Sequence, residues 1–381
     1  MRGAAVLGIL AANIIGMGQP MAAYGWPGGF LSPPGPLSDW LWGMQLVFVD
    51  AKFRGVFTLL FGAGMVLFQR QAQLRGQGNL LARRLVWLGL FGLAHWTLLW
   101  RGDILLTYAA AGFAALPFIG WPARKRFALG LTGYLVGVGV VLAIVAVLAA
   151  IDPTGWSGIA AEEALDGATE AAVMSSGDYA AWVAHSLRDH LIDLPVGVLW
   201  ALFETLPLIL IGMSLVSAGI FDGRADPRRQ LRWAFALWLA GTAATAMIAG
   251  SALRGGISYA DSFEAPAWAA LPAIASSLGL MALLALWGRT ASGWMARRLA
   301  LAGRCAFTNY IGTSALALVV FSGWGLGLFG KLGRLELYAL LPLFWAVMLA
   351  WPVWWLARFR HGPLEWAWRC LTYWRRLPLR R

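Results

Sequence analysis

Apolar runs of about 20 residues, the length that crosses a hydrocarbon core, recur at 3–19, 52–69, 85–101, 104–120, 127–151, 194–220, 233–253, 267–287, 303–328 and 337–357. In lipid no water satisfies the backbone N–H and C=O groups, so a spanning segment must be a helix or a strand of a closed barrel. These runs are unbroken rather than alternating, which excludes the barrel. The expected fold class is all-α, a polytopic transmembrane helix bundle of about ten spans. The chain is 60% apolar and 13% charged, about half the charged share of a soluble protein.

Charge placement orients the bundle. If the spans alternate, 23 of the 30 Lys and Arg fall on one side, 5 on the other, and Lys52 and Arg54 remain within a span. Lys and Arg mark the cytoplasmic side, so both termini are expected in the cytoplasm of a bacterial inner membrane. The net charge of +12 is scattered over short loops and forms no stripe, which argues against a nucleic-acid partner. The expected partners are membrane lipids, an unknown small-molecule substrate and a second copy in a homo-oligomer. Cys305 and Cys370 lack metal-ligand spacing, so neither a metal nor a disulfide is expected. Reading the first run as a signal peptide cleaved near Ala22 and Ala23 is set aside, because its removal keeps the next basic loop inside only with an odd span count.

The chain divides into a five-span half at 1–151, a loop at 152–193, a second five-span half at 194–358 and a Trp- and Arg-rich tail at 359–381. The loop carries eight acidic residues against Arg188, with Ala-rich stretches of helical composition. It is expected to form a small periplasmic cap, the alternative being a solvated connector whose acidity has no role. The first outer loop, 19–40, is rich in Pro, Gly and aromatics and suits an ordered cover over a cavity. GLGLFG at 325–330 fits the dinucleotide fingerprint by letter but follows an apolar span with no strand, and is dismissed. The tail, with Trp366, Trp368, Tyr373 and Trp374 among arginines, fits a helix from Pro363 lying in the inner interface or covering the bundle from below.

Ionisable groups inside spans are costly and usually mark a cavity or a partner. Asp50 and Arg54 stand four apart, the spacing of a pair on one helical face, with Lys52 about 200° away. His95 lies about 9 Å of helix from Arg101, so Arg101 and Asp103 are expected to border the same outer pocket, and a neutral imidazole there can carry a proton. Glu204 sits three residues before Pro207, which frees a carbonyl and bends the helix; its candidate cations are Arg54 and Lys52. Arg2 and Asn13 lie on one stripe about 16 Å apart. Each group has a plain structural alternative, such as an interfacial ion pair or a histidine bonded to a backbone carbonyl.

Several segments, MRGAAVLGILAANI, KFRGVFTLLFGAG, RRLVWLGLFGLAHWTLLWRGDILLTYA, GRCAFTNY and HGPLEWAWRCLTYW, resemble the YeiB-like bacterial membrane proteins, domain-of-unknown-function family 418. The N-terminal half is similar to transmembrane acyltransferases of the heparan-glucosaminide acetyltransferase type, whose Arg-Gly, Asn and Asp pattern is met by Arg2, Gly3, Asn13 and Asp50. Those enzymes carry a catalytic His in the first outer loop. Residues 20–39 contain none, so His95 has to substitute for it. This resemblance implies an acyltransferase taking a cytoplasmic donor such as acyl-CoA. His95 would act as acyl carrier or general base with Asp50, Arg54 and Asn13 orienting, and Arg2, Arg101, Asp103, Glu204, Asn309 and Tyr310 would meet substrate. Arg83, Arg84, Arg124 and Arg126 would receive the donor's phosphates. The alternatives are a proton- or ion-coupled transporter using Asp50, Glu204 and His95 as a relay, and a membrane partner protein without turnover. The transfer scheme requires Asn13, Asp50, Arg54 and His95 to open onto one cavity.

Overall fold

The computed structural model describes residues 1–381 apart from 33, 34, 36, 155 and 222. Part of the proline-rich stretch of the first outer loop, and one residue each of the acidic loop and of the DGRADPRRQLR loop, thus lie outside the described residues. The described chain is helical, with one isolated bridge between Phe359 and Arg380. Each of the ten apolar runs contains a helix: α1 (Arg2–Gly18), α3 (Lys52–Leu74), α4 (Leu80–Leu98), α5 (Leu105–Ala115), α6 (Ala123–Ile151), α9 (Asp193–Leu215), α10 (Pro227–Gly255), α11 (Asp261–Thr290), α13 (Ala306–Phe321) and α14 (Arg334–Arg358). Between them come α2 (Ser38–Phe48), α7 (Ser157–Ser176), α8 (Tyr179–Asp189), α12 (Gly293–Arg304) and, after α14, α15 (Pro363–Tyr373).

Six helical stretches among the described residues are long and apolar enough to cross a membrane unaided, or seven if α12 and α13, bent 85° to each other, count as one; α1 and Leu105–Phe118 are shorter. The architecture is a helical membrane bundle with a buried centre and an apolar exterior. The central helix α1, apolar but for Arg2 and Asn13, is enclosed by α3, α12, α13 and α14, as a helix so largely apolar must be. On the rim, α6 and α10 turn Leu135, Val136, Val147, Phe235 and Met247 outward, the composition of a lipid-facing surface.

Where α3 and α9 pack on each other, contact is made by backbone. A β-carbon at Gly62 of α3 would collide with the carbonyl of Ile209, and one at Gly212 of α9 with the carbonyl of Leu59; small residues permit such approach. Gly212→Val is expected to cost about 1–3 kcal/mol. A melting curve in detergent checks this, and an unchanged midpoint would mean that α3 and α9 separate freely.

The acidic loop folds into the helical hairpin α7–α8 and docks on the bundle. Gly323 N–H donates to the Met174 carbonyl (2.8 Å) and the Tyr179 hydroxyl to that of Leu98 (2.7 Å), while Arg101 pairs with Glu170 at 2.9 Å, both side chains nearly dry at 6% and 4% exposure. On the opposite, basic face α15 closes the bundle. Glu365 accepts from Phe307 N (2.7 Å), Thr308 N (3.1 Å) and the Thr308 hydroxyl (2.6 Å), capping the N-terminus of α13, where orphan N–H groups and the helix dipole favour an anion. Arg84 lies 3.7 Å over the Trp368 ring. The tail is therefore a packed cover, with Trp374 left exposed at its edge.

Candidate functional site: two cavities and a buried triad

Two cavities enter from opposite faces. The first, about 670 Å³, lies under the cap and is lined by Tyr24, Asp50, Lys52, Arg54, Arg101 and Glu204 from the bundle and by Glu163, Asp166 and His190 from the cap side. The first outer loop covers it through Met21 to Gly25. Glu163 is held above the usual carboxylate range by burial and by the neighbouring Asp166 charge. The second cavity, about 900 Å³, opens at the basic face between Arg2, Arg84, Arg304, Arg360 and Arg369. It runs inward as an apolar corridor past Phe57, Phe61 and Tyr108 to Ile104 and Tyr310. At its mouth, burial and the cations of Arg369, Arg304 and Arg360 lower the His361 pKa.

A single turn of α3 separates the two. Arg54 faces the first cavity and Phe57 the second, and the Thr58 and Tyr108 hydroxyls, 2.8 Å apart, close the wall. The sequence spacing predicts an Asp50–Arg54 pair, and the structure replaces it. Ala51 takes φ +60° and starts α3 only at Lys52, so Asp50 lies off the helix. Asp50 instead accepts from the Tyr24 hydroxyl (2.8 Å) and the Gln45 amide (3.2 Å), and Gln45 accepts in turn from Arg334 (2.6 Å) and Tyr338 (2.7 Å). Arg54 donates to both oxygens of Glu204, at 2.8 and 3.1 Å. Lys52 turns away, donating to the Leu46 carbonyl at 2.8 Å.

His95 is not in either cavity. Its ring is sealed between Asp103 and Ser314, at 2.9 Å on each side, and the His95 and Asp103 side chains are 0% and 1% exposed. A carboxylate only accepts, so Nδ1 carries the proton to Asp103 and Nε2 accepts from the Ser314 hydroxyl. The other oxygen of Asp103 is fixed by Leu106 N–H at 2.8 Å. This is the Ser-His-Asp arrangement, recognised by geometry rather than by chain order. The Tyr310 ring, which ends the corridor, packs on the imidazole at a centroid distance of 5.0 Å.

The predicted residues thus divide. Asp50, Arg54, Arg101 and Glu204 share the cavity under the cap, Arg2 and Tyr310 lie at the two ends of the basic-face cavity, and His95 and Asp103 form the buried triad. Asn13 is half-buried on α1 and lines neither cavity; Asn309 ties α13 to α14 by accepting from Trp351 at 2.6 Å. Asn13, Asp50, Arg54 and His95 do not open onto one cavity, because the break at Ala51 and the seal around His95 hold them apart. Two groups escaped the sequence analysis. Ser314 is one of several small polar residues in apolar spans and carries no signal. His185 and His190 do carry one, since two of the four histidines stand five apart inside the acidic loop, and the structure brings their nitrogens and an Asp166 oxygen within 4.8 Å of one another.

Residues 215–375 match the family described as protein of unknown function (DUF418). The chain is 30% identical to uncharacterized protein YeiB of Escherichia coli (strain K12), covering 98% of this chain and 94% of that one. It is 26% identical to uncharacterized protein YxaH of Bacillus subtilis (strain 168), covering 98% and 92%. No solved structure matches.

Proposed function

Because the chain belongs to the YeiB-like DUF418 family, whose description assigns no chemistry, its activity must be read from the cavities, and we propose that it transfers an acyl group across the bacterial inner membrane from a cytoplasmic thioester to an outer acceptor. The basic face and both termini then lie in the cytoplasm. The observation that carries this reading is the corridor from the five-arginine mouth to Tyr310, with Ser314, His95 and Asp103 directly behind that ring.

The residues divide the labour as follows. Arginines at the mouth bind the phosphates of a donor such as acyl-CoA by charge-assisted hydrogen bonds, and the apolar corridor takes the acyl chain. Rotation of Tyr310 admits the thioester to Ser314. The Ser314 oxygen attacks the carbonyl as His95 Nε2 takes its proton, the C–S bond breaks, and the departing thiolate leaves with that proton. Asp103 holds the imidazole tautomer throughout. An acceptor hydroxyl or amine from the cavity under the cap, admitted when the Thr58–Tyr108 contact opens, then attacks the ester, with His95 first removing and then returning a proton, so Ser314 is restored. The carboxylates and aromatic rings of that cavity suit a polar, hydroxylated or cationic acceptor. The relay expected of a transporter is less well supported, since His95 does not touch Asp50 or Glu204.

The test is binding before turnover. Purified protein should melt higher with acyl-CoA than with free fatty acid or coenzyme-free metabolites. Arg369→Ala should weaken the donor about 10–100-fold, by loss of a charged hydrogen bond worth about 1.5–3 kcal/mol. Indifference to every CoA compound beside a clear response to another metabolite would sink acyl transfer in favour of transport.

A further inference from the structure

The hairpin α7–α8 and the start of α9 build a cluster that the transfer scheme does not use. His185 Nδ1 donates to Asp189 Oδ2 at 2.7 Å, and the Asp193 carboxylate stands 3.2 Å from His190 Nδ1. With its Nδ1 proton so engaged, His185 carries a lone pair on Nε2, and the carboxylate beside His190 Nδ1 favours the same tautomer there. The two Nε2 atoms face each other at 3.3 Å, and the nearest Asp166 oxygen is 3.6 Å from His190 Nε2. In that tautomer two lone pairs and a carboxylate converge on one point, all three ligand atoms within 4.8 Å of one another. Such a point calls for a cation.

The spacing selects the kind of cation. Ligands at about 2.0–2.1 Å in a tetrahedron stand about 3.3 Å from one another, close to the 3.3 Å between the imidazoles and the 3.6 Å from His190 to Asp166. Imidazole nitrogens favour zinc and its first-row neighbours over magnesium or calcium, and a carboxylate behind each imidazole is the usual outer support of a metal-bound histidine. His190 and Asp166 both line the cavity under the cap, so a fourth position faces that cavity and is free for water or for an oxygen or nitrogen of a bound molecule. We propose that His185, His190 and Asp166 form a transition-metal site, zinc by geometry, with Asp189 and Asp193 orienting the imidazoles. This runs against the expectation drawn from the two cysteines, which concerned the other face of the bundle.

The site is independent of acyl transfer, and its test reads binding alone. Full-length protein in detergent is stripped with a chelator and titrated with Zn²⁺ and then with Co²⁺. About one Zn²⁺ per chain is expected, together with the visible absorption of tetrahedral Co²⁺. Both should be lost in His190→Ala and in His185→Ala, and Asp193→Asn should weaken Zn²⁺ about 10–100-fold. Because His185 is buried, its variant also removes packing from the cap; His190→Ala, at the cavity rim with 12% side-chain exposure, and Asp166→Asn therefore decide the matter. Zn²⁺ uptake unchanged by His190→Ala and Asp166→Asn, or no uptake by the stripped protein, overturns the proposal and leaves two imidazoles sharing a proton.

Discussion

Asp103→Asn should lower acyl transfer about 10⁴-fold, the cost of holding a triad imidazole in the wrong tautomer, while leaving donor binding intact. An asparagine can keep its carbonyl oxygen on Leu106 N–H, where Asp103 Oδ2 now accepts at 2.8 Å. Its amide group then turns an N–H toward His95 Nδ1. That nitrogen becomes an acceptor, the proton moves to Nε2, and the ring donates to Ser314 instead of drawing its proton away. The acyl-CoA melting shift and the transfer rate, measured on the same preparation, separate the two effects. A rate that survives Asp103→Asn and Ser314→Ala would reduce the triad to a packing device, whatever the donor assay shows.

Glu170→Ala should produce the largest loss of stability, about 3–5 kcal/mol, because it strands a buried cation. Arg101 and Glu170 are almost entirely removed from solvent, and Glu170 also accepts from Met21 N–H at 3.3 Å, so one carboxylate joins the cap, the turn after α4 and the first outer loop. Removing it should let α7 and α8 lift away and become sensitive to protease. Replacing both partners together, Arg101→Met with Glu170→Leu, should restore much of the stability, since an apolar pair of similar volume fills the space without a charge. A double variant as unstable as Glu170→Ala alone would trace the loss to the Met21 hydrogen bond.

What could be read from the sequence follows the strength of each signal. Runs such as 127–151 and 194–220 have only one structural solution in lipid, and each became a helix. The charged cap was legible from Ala-rich acidic stretches, and the cover over the cavity from its aromatics and prolines. The Asp50–Arg54 pair failed because helical spacing presumes an unbroken helix, and the left-handed conformation at Ala51 is a non-glycine exception that no local pattern announces. Arg54 instead meets Glu204, 150 residues away and for which it was one of two candidate cations, while Asp50 meets Tyr24 and Gln45. Partners at that separation are fixed by packing. Ser314 was unreadable for the same reason: its meaning comes from His95, 219 residues earlier.

The enclosure of α1 bears on how the protein is made. This helix precedes α3 to α11 in the chain, yet α12, α13 and α14, which surround much of it, are translated only after all of those. Through most of synthesis its apolar sides must therefore be shielded by lipid or by the insertion machinery, and the nascent bundle stays open at its middle until the final third of the chain arrives. Early truncations should consequently behave as unassembled membrane segments, prone to quality-control proteolysis, rather than as smaller folded proteins.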